Sequence, residues 1–408
     1  MGSTSALIYG PEYAAYRFND EHPFKPLRLR LTVELIEACG LIDGAHRLVP
    51  PRPATEAELA TVHRAPYLAA VRAAGRGELD AATAARFGLG TDDVPVFPDM
   101  YEAAALVVGG SLRAADLVMA GAVDHAFNIG GGLHHAGRSQ ASGFCVFNDI
   151  AVACRWLVDR HGARVLYVDN DAHHGDGVQD LFYDTDAVLT VSFHETGRYL
   201  FPGTGAVTER GRRAGYGYAV NVPLDAFTDD DSWLAGFADL IPALARAYRP
   251  DVIVMQNGCD GHALDPLTDL RATTRTVERA ARIVHDLAHE LCGGRLIALG
   301  GGGYDIWRVT PRAWTLVWAA LGDQAVPELV PESWLARWAP ESPVPLPRTM
   351  RDPPNLCPPI PRQGAVAATN AAVYARVREV GLPLLQSRET EDGGRRTEEQ
   401  GTGRGAGG

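Results

Sequence analysis

The chain has 408 residues and a net charge of −12, with 46% hydrophobic and 22% charged residues. This composition is typical of a globular protein and excludes a mostly disordered, collagenous or fibrous one. The negative charge disfavours nucleic acid as a partner, because it repels phosphates at long range. The six cysteines contain no Cys-x-x-Cys pair, and neither a signal peptide nor a long apolar run is visible. We therefore expect a cytoplasmic protein without a membrane partner.

Short apolar runs alternate with longer helical patterns along most of the chain. The runs predict strands at Ala6–Tyr9, His125–Ile129, Arg164–Val168, Val188–Phe193, Val252–Gln256 and Arg295–Leu299. The helical patterns between them are Met100–Ala120, Asn148–Arg160, Ser232–Ala247 and Thr273–Leu291. This alternation predicts an α/β fold with a single open, mostly parallel, doubly wound sheet that is flanked by helices.

The composition changes after residue 325, so we assign residues 1–325 to one catalytic domain. Residues 326–361 are rich in proline, and regular structure is not expected there. This segment is predicted to wrap the domain, with Trp334 and Trp338 as anchors. A last helix at about Val366–Val380 would dock back and complete a segment at 326–385. Residues 386–408 lack large apolar side chains and are predicted to form a disordered tail.

Polar and glycine-rich motifs follow four of the predicted strands. Ligands bind beyond the carboxyl ends of the strands in an open α/β sheet, so we expect these motifs to meet at one site. In chain order they contain His134, His135, Asp169, Asp171, His173, Asp176, Asp260 and Tyr304. Single members also fit ordinary structural roles, such as a helix cap by Asn148 or Asp149. The convergence of four motifs favours a functional site.

The spacing of Asp171 and His173 is typical of two ligands of one metal ion. Residues two apart in an extended segment face the same way, and Asp260, after another strand, is placed to add a third ligand. Two carboxylates and one imidazole form an open site, in which a water and a substrate oxygen complete the coordination. Such a metal lowers the pKa of the water and polarises a carbonyl.

The remaining motif residues fit the same chemistry. His134 and His135 are candidates for proton transfer. Asp169 and Asp176 are candidates for orienting these imidazoles. Tyr304 follows four glycines and is a candidate hydrogen-bond donor to an oxyanion. Together the motifs predict metal-assisted hydrolysis of an amide.

The combined motifs resemble the zinc-dependent histone deacetylase family over roughly residues 5–320. They are Gly131–His135, Gly143–Cys145, Asp169–Gly177 and Gly300–Tyr304. Three further segments are similar to the bacterial acetoin-utilisation branch in particular: Tyr9–Tyr13, His22–Arg28 and Cys259–Leu267. The resemblance implies the arginase/deacetylase form of the predicted fold. It also implies hydrolysis of the N6-acetyl-lysine amide in proteins, with release of acetate.

The resemblance implies that Asp171, His173 and Asp260 bind Zn²⁺, and this donor set would also accept Fe²⁺ or Co²⁺. Two K⁺ sites are implied as well. The first would be formed by Asp169, Asp171, His173, Ser192 and Phe193, and the second by Phe182, Thr185, Val188 and Tyr218.

The resemblance gives the catalytic residues the following roles. His135, paired with Asp176, would act as general base and acid. His134, paired with Asp169, would act mainly through its charge. Tyr304 would hold the acyl oxygen.

The resemblance also implies a tunnel for the acyl-lysine side chain, lined by Gly143, Phe144, Phe201 and Leu267. Asp93, preferred slightly over Asp92, would bind the substrate backbone at the rim. Arg28 would guard an internal pocket through which acetate leaves. The expected partner is an acetylated protein, such as acetyl-coenzyme A synthetase.

Two residues depart from the family pattern. Asn170 stands where the family has an aliphatic residue, so a buried amide there needs a hydrogen-bond partner. Pro266 replaces the arginine with which some eukaryotic members bind inositol phosphate, so that regulator is not expected here.

Three alternative functions remain at this point. An acetylpolyamine amidohydrolase shares the catalytic residues. An arginase-like binuclear enzyme is disfavoured, because Gly175 stands where a carboxylate for the second metal is needed. A non-catalytic metal-binding or acyl-lysine-binding module is disfavoured, because all the expected catalytic residues are present.

Overall fold

The computed structural model describes residues 3–390, and within them eight strands form one sheet. The strands are β1 (Ser5–Ile8), β2 (His46–Val49), β3 (His125–Asn128), β4 (Val165–Asp169), β5 (Val188–Glu195), β6 (Ala219–Leu224), β7 (Val252–Gln256) and β8 (Leu296–Leu299). Their order is β2-β1-β3-β8-β7-β4-β5-β6. Every neighbouring pair is parallel. The predicted open α/β sheet is confirmed, and it is wholly rather than mostly parallel.

Strands β2 and β6, which form the two edges of the sheet, are absent from the six predicted strands. The six predicted strands are the six interior ones. β2 buries only its first and last residues, and β6 contains Asn221 and Pro223. The polar exposed residues of β2 and the Asn221 and Pro223 of the largely buried β6, where an edge position tolerates proline, interrupt the continuous apolar pattern of a buried parallel strand.

Twelve α-helices are assigned up to Arg376. They are α1 (Leu27–Ala38), α2 (Glu56–Leu59), α3 (Ala65–Gly75), α4 (Ala81–Arg86), α5 (Met100–Met119), α6 (Asp149–His161), α7 (Asp176–Phe182), α8 (Asp230–Tyr248), α9 (Thr274–Cys292), α10 (Thr310–Leu321), α11 (Glu332–Trp338) and α12 (Gln363–Arg376). The four predicted helices correspond closely to α5, α6, α8 and α9. Among residues 3–390, no helix is both long and apolar enough to cross a membrane.

The helices cover both faces of the sheet. The connections through α5 and α6 run in one direction across the strand order, and those through α8 and α9 run in the other. Because such crossovers are right-handed, the two groups lie on opposite faces. Within each face the helices pack side by side, α5 on α6 and α8 on α9. The interior strands are therefore buried on both sides, which explains their apolar sequences.

The register of the sheet places the carboxyl ends of four central strands at one level. Asn128 of β3 is paired with Leu299 of β8, Leu299 with Gln256 of β7, and Gln256 with Asp169 of β4. The segments that follow these strands therefore start side by side, and they carry the four motifs singled out above.

The proline-rich segment contains one helix, α11, that the sequence analysis does not expect. Pro331 precedes its first turn, where a missing N–H breaks no helical hydrogen bond. The indole of Trp334 donates to Leu31 O (3.0 Å), and that of Trp338 donates to Glu34 Oε2 (2.9 Å). Both acceptors belong to α1 and both indoles are buried. The two tryptophans thus attach this segment to the domain.

The last helix extends further than predicted at both ends. α12 continues through a π-helical turn at Val377–Gly381 and remains helical over residues 382–390. Glu389 forms an ion pair with Arg164 (2.7 Å) and accepts a hydrogen bond from the hydroxyl of Tyr218. The prediction that a disordered tail begins at residue 386 is therefore wrong, because polar side chains find partners on the domain. The rest of that predicted tail, residues 391–408, lies outside the described residues.

Replacing Trp338 by alanine is expected to lower the free energy of unfolding by about 3–5 kcal/mol, the range for deletion of a core aromatic. The indole is fully buried, so alanine leaves a cavity. Urea denaturation followed by circular dichroism measures the change. The control is Leu329→Ala in the same segment. Leu329 is 62% exposed, and its loss should cost less than about 0.5 kcal/mol. Equal losses for the two variants would contradict the anchoring role.

Candidate active site

Three side chains converge at the carboxyl edge of β4 and β7. Asp171 and His173 follow β4, and Asp260 follows β7. His173 Nδ1 lies 3.2 Å from Asp171 Oδ1 and 2.9 Å from Asp260 Oδ2. One ligand atom from each residue lies within 4.8 Å of the other two. The structure brings together the three predicted metal ligands, which we call the Asp–His–Asp centre.

The charges of the Asp–His–Asp centre fit a bound cation. Its members are buried, and among the described residues neither carboxylate forms an ion pair with lysine or arginine. Burial and the charge of Asp171 raise the pKa of Asp260 to about 6. Burial opposes a charged His173, but the two carboxylates outweigh it and raise its pKa. A divalent ion would balance these carboxylates, and one imidazole with two carboxylate oxygens is a donor set that Zn²⁺ accepts.

Hydrogen bonds fix the orientation of the two carboxylates. Asp171 Oδ2 accepts from Gly302 N (2.7 Å) and from Gln256 Nε2 (2.9 Å). Asp260 Oδ1 accepts from a backbone N–H of the loop after β4 (2.9 Å). The other oxygen of each carboxylate faces His173. The sequence analysis misses Gln256, whose only signal is a polar residue at the end of a buried strand.

His134 is held in a buried ionic environment. Its Nδ1 lies 2.8 Å from Asp169 Oδ2, which also accepts a hydrogen bond from the Tyr167 hydroxyl (2.6 Å). Burial alone would lower the pKa of His134, but the charges of Asp169 and Asp171 raise it to about 9. The structure places His134 and Asp169 as the predicted pair. Tyr167 was not foreseen, because it lies within an apolar strand.

His135 has the opposite electrostatic character. Its Nδ1 lies 2.7 Å from Asp176 Oδ1. Burial and the charge of His134 lower the pKa of His135 to about 4, so its imidazole is neutral at pH 7. Because Nδ1 donates to Asp176, Nε2 is the nitrogen that is able to accept a proton. The neighbouring histidines are thus suited to different tasks.

A buried carboxylate shapes the loop that carries both histidines. Asp149 accepts hydrogen bonds from Gly132 N (3.1 Å) and Leu133 N (2.7 Å), and the hydroxyl of Ser111 donates to it (2.5 Å). Asn148 is the N-cap of α6. Of the two residues considered as a cap, Asn148 has that role and Asp149 positions the loop before His134.

A cavity of about 290 Å³ adjoins the Asp–His–Asp centre. It is lined by Asp93, His135, Gly143, Phe144, His173, Leu200, Phe201, Leu267 and Tyr304. All five predicted substrate residues are in this lining, and Leu200 is an addition. The ring of Phe144 lies edge-on to Tyr304 (5.6 Å), and that of Phe201 lies edge-on to His135 (5.0 Å). The cavity is therefore a mainly apolar passage beside the two histidines.

Asp93, rather than Asp92, reaches this cavity. Asp93 Oδ2 accepts a hydrogen bond from Gly143 N (2.7 Å), whereas Asp92 is exposed. Gly143 has a φ of +54°, and a Cβ at this position would lie 2.1 Å from His135 Cδ2. Glycine is required here because the His135 ring packs directly against its backbone.

The loop after β8 holds Tyr304 at the other wall of the cavity. Asp265 Oδ2 accepts a hydrogen bond from Tyr304 N (2.7 Å), a contact that the sequence analysis did not predict. Burial and the charge of Asp260 raise the pKa of Tyr304 well above its usual value, so its hydroxyl stays protonated. Arg28 is buried and donates to Gly303 O (3.0 Å). It thus lies behind the Tyr304 loop.

The side-chain oxygen of Asn170 is buried without a hydrogen-bond partner among the described residues. The neighbouring loop is nevertheless formed, since Asp171 N donates to Asp169 Oδ1 (3.1 Å). The amide oxygen is therefore a buried acceptor without a hydrogen bond, while the neighbouring residues of the Asp–His–Asp centre still converge.

The residues predicted to bind K⁺ lie on and around β4, β5, β6 and the end of α7. In the first set, Asp169 is opposite Ser192 in the register of β4 and β5, and Phe193 follows it. In the second set, Thr185 N donates to Phe182 O (3.2 Å). Val188 begins β5, and Tyr218 directly precedes β6. Binding of K⁺ stays a prediction.

Gly302→Ala is expected to weaken metal binding at the Asp–His–Asp centre. A Cβ at this position would lie 2.1 Å from Asp260 Oδ2 and 2.8 Å from Asp171 Oδ2, so both carboxylates must move. Metal analysis after gel filtration should show about one equivalent less per chain than in the wild type. The control is Gly364→Ala, where a Cβ meets nothing within 4 Å. Unchanged metal content in Gly302→Ala would contradict the packing described here.

Comparison with known proteins identifies the family of this chain. Residues 22–321 match the family described as histone deacetylase domain. The acetoin utilization protein AcuC of Bacillus subtilis is 50% identical over 372 residues, which cover 91% of this chain and 96% of that protein. AcuC of Staphylococcus xylosus is 41% identical, with the same coverage. The crystal structure of a histone deacetylase homologue from Aquifex aeolicus matches with a TM-score of 0.80 and 31% identity, and it covers 90% of this chain and 99% of that one. The chain therefore belongs to the histone deacetylase family and is an AcuC-type member of it.

Proposed function

We propose that this chain is a Zn²⁺-dependent lysine deacetylase that hydrolyses the N6-acetyl-lysine amide of proteins and releases acetate. Membership of the family supports a deacetylase. The observation that supports acetyl-lysine as the substrate is the mainly apolar cavity of about 290 Å³, whose lining includes His135, His173 and Tyr304. The aliphatic stem of lysine matches apolar walls, and its acetamide would reach these polar groups.

The residues around the cavity have different roles in the proposed reaction. When bound, the metal ion would polarise the acetyl carbonyl and lower the pKa of a water molecule. His135, held through Nδ1 by Asp176, accepts the proton of the attacking water at Nε2 and then donates it to the leaving amine. The hydroxyl of Tyr304 donates a hydrogen bond to the developing oxyanion. The charge of His134 adds to the stabilisation of that oxyanion.

Acetylpolyamines are the alternative substrates. Further amines along a polyamine carry positive charges, which need carboxylates beside them when they are buried. Outside the Asp–His–Asp centre, Asp93 is the single acidic residue among the described residues that line the cavity. Phe144, Phe201 and Leu267 supply apolar walls instead. This lining favours an acyl-lysine side chain, with Asp93 available to the peptide N–H groups at the rim.

We also propose an acetylated protein as the partner, with acetyl-coenzyme A synthetase as the first candidate on the basis of the family resemblance. The net charge of −12 supports the expectation that nucleic acid and membrane surfaces are not partners. All six cysteines, which lie within the described residues, are free thiols, and this supports a reducing cytoplasm.

Tyr304→Phe is expected to lower kcat on an acetyl-lysine peptide by about 10²–10³-fold with little change in KM, because it removes an oxyanion donor. Steady-state kinetics of the Zn²⁺-reconstituted enzyme tests this. Tyr216→Phe, at a 46% exposed tyrosine, is the matched control. Wild-type turnover by Tyr304→Phe would show that the Tyr304 hydroxyl does not stabilise the oxyanion. Turnover of N-acetylputrescine but not of the peptide would favour the alternative substrate.

Asp93→Ala is expected to lower kcat/KM for an acetyl-lysine peptide by about tenfold or more, since hydrogen bonds to a charged group are worth about 1.5–3 kcal/mol. The exposed neighbour provides the control, and Asp92→Ala should leave kcat/KM unchanged. Competition assays with one labelled peptide give both values. A larger loss for Asp92→Ala would show that the rim carboxylate is misassigned.

A further inference from the structure

Three histidines form a second cluster near the amino end of β3. The Asp–His–Asp centre lies at the other end of the strands, beyond their carboxyl ends. His125 is the first residue of β3, and His285 and His289 lie one turn apart on α9. The ring centroids are 4.8 Å apart for His125 and His285, 5.0 Å for His125 and His289, and 4.6 Å for His285 and His289. One ring nitrogen of each lies within 4.8 Å of the other two. Each imidazole therefore brings one ring nitrogen into the same small region.

The nitrogens of this cluster lack a complete set of hydrogen-bond partners. His125 Nε2 and His289 Nε2 are 3.1 Å apart, so one of them must offer its lone pair to the other. His285 is buried, and its Nε2 has no hydrogen-bond partner among the described residues. Burial and the neighbouring imidazoles lower the pKa of His125 to about 3. Burial also lowers the pKa of His285, so lone pairs are available at neutral pH.

Two oxygen donors adjoin the imidazoles. Asp323 Oδ2 lies 3.7 Å from His285 Nε2, while its Oδ1 is held by Arg282 (3.2 Å). The hydroxyl of Ser3 lies 3.2 Å from His289 Nε2. Asp323 is half exposed, which gives an ion access from solvent. The cluster thus offers three nitrogens and a carboxylate oxygen.

We propose that His125, His285 and His289 bind a late first-row divalent metal ion, with Asp323 as the fourth ligand. Imidazole nitrogens suit Zn²⁺, Ni²⁺ and Cu²⁺, and a His pair at i and i+4 places both rings on one helix face. At Zn–N distances of about 2.0–2.1 Å, tetrahedral nitrogens are about 3.4 Å apart. The pair at 3.1 Å is already near this value, and the His285 nitrogen, which lies within 4.8 Å of the other two, would move closer to them on binding.

The cluster is independent of the Asp–His–Asp centre. The Asp–His–Asp centre lies beyond the carboxyl ends of β4 and β7. His125, in contrast, is the first residue of β3 and lies at the amino end of that strand. A strand rises about 3.3 Å per residue, so at least the length of β3 separates the two. The bound ion would link β3, α9 and the loop after α10, and it would stabilise their packing without taking part in hydrolysis.

Metal stoichiometry tests the proposal. The untagged full chain is stripped with a chelator, incubated with Zn²⁺, desalted and analysed by inductively coupled plasma mass spectrometry. We expect two equivalents per chain for the wild type and one for His289→Gln. His161→Gln, at an exposed histidine outside the cluster, should retain two. Asp171→Asn/Asp260→Asn should retain one, and adding His289→Gln should remove it.

Either of two stoichiometries would overturn the proposal. One is a single equivalent in the wild type that Asp171→Asn/Asp260→Asn removes, and the other is a second equivalent that His289→Gln leaves in place. Each would show that the cluster is a hydrogen-bonded group of histidines only. Because His289 is exposed, its glutamine variant should fold. Circular dichroism of that variant separates loss of the ligand from loss of the fold.

Discussion

Two buried carboxylates that face one imidazole are the constraint on which the site depends. Asp171 and Asp260 point an oxygen each at His173, and their other oxygens are fixed by backbone and amide donors. Buried carboxylates without a lysine or arginine partner are costly, so a divalent ion is the natural partner. The glycines of the loop after β8 are part of the same constraint, because a side chain at Gly302 would occupy the position of both carboxylates.

The fold brings segments that are distant in sequence together at the carboxyl ends of four neighbouring strands. Asp169, Gln256, Leu299 and Asn128 stand side by side across four parallel strands, although they are far apart in the chain. The loops that leave these positions carry the Asp–His–Asp centre, the histidine pair and Tyr304. The pair of histidines then differs in charge, since His134 faces two carboxylates while His135 faces one. One imidazole of the pair is therefore charged and the other is neutral at pH 7.

Sequence patterns predicted the parts of this arrangement that have a local signature. The interior strands show continuous apolar runs, and Asp171 and His173 show the spacing of paired ligands. The edge strands β2 and β6 lack such a run and were missed. Gln256, Asp149 and Asp265 were missed as positioning residues because their partners are distant in sequence. The helical continuation to residue 390 was missed for the same reason, since the contact between Glu389 and Arg164 has no local pattern.

The most direct test of the account is a crystal structure of the Tyr304→Phe variant with Zn²⁺ and an acetyl-lysine peptide. The account predicts the acetyl oxygen at an ion held by Asp171, His173 and Asp260. It also predicts the lysine stem between Phe144 and Phe201 and a peptide N–H at Asp93. An ion bound elsewhere, or a peptide bound outside this cavity, would contradict the proposal that the chain is a lysine deacetylase that works through this centre.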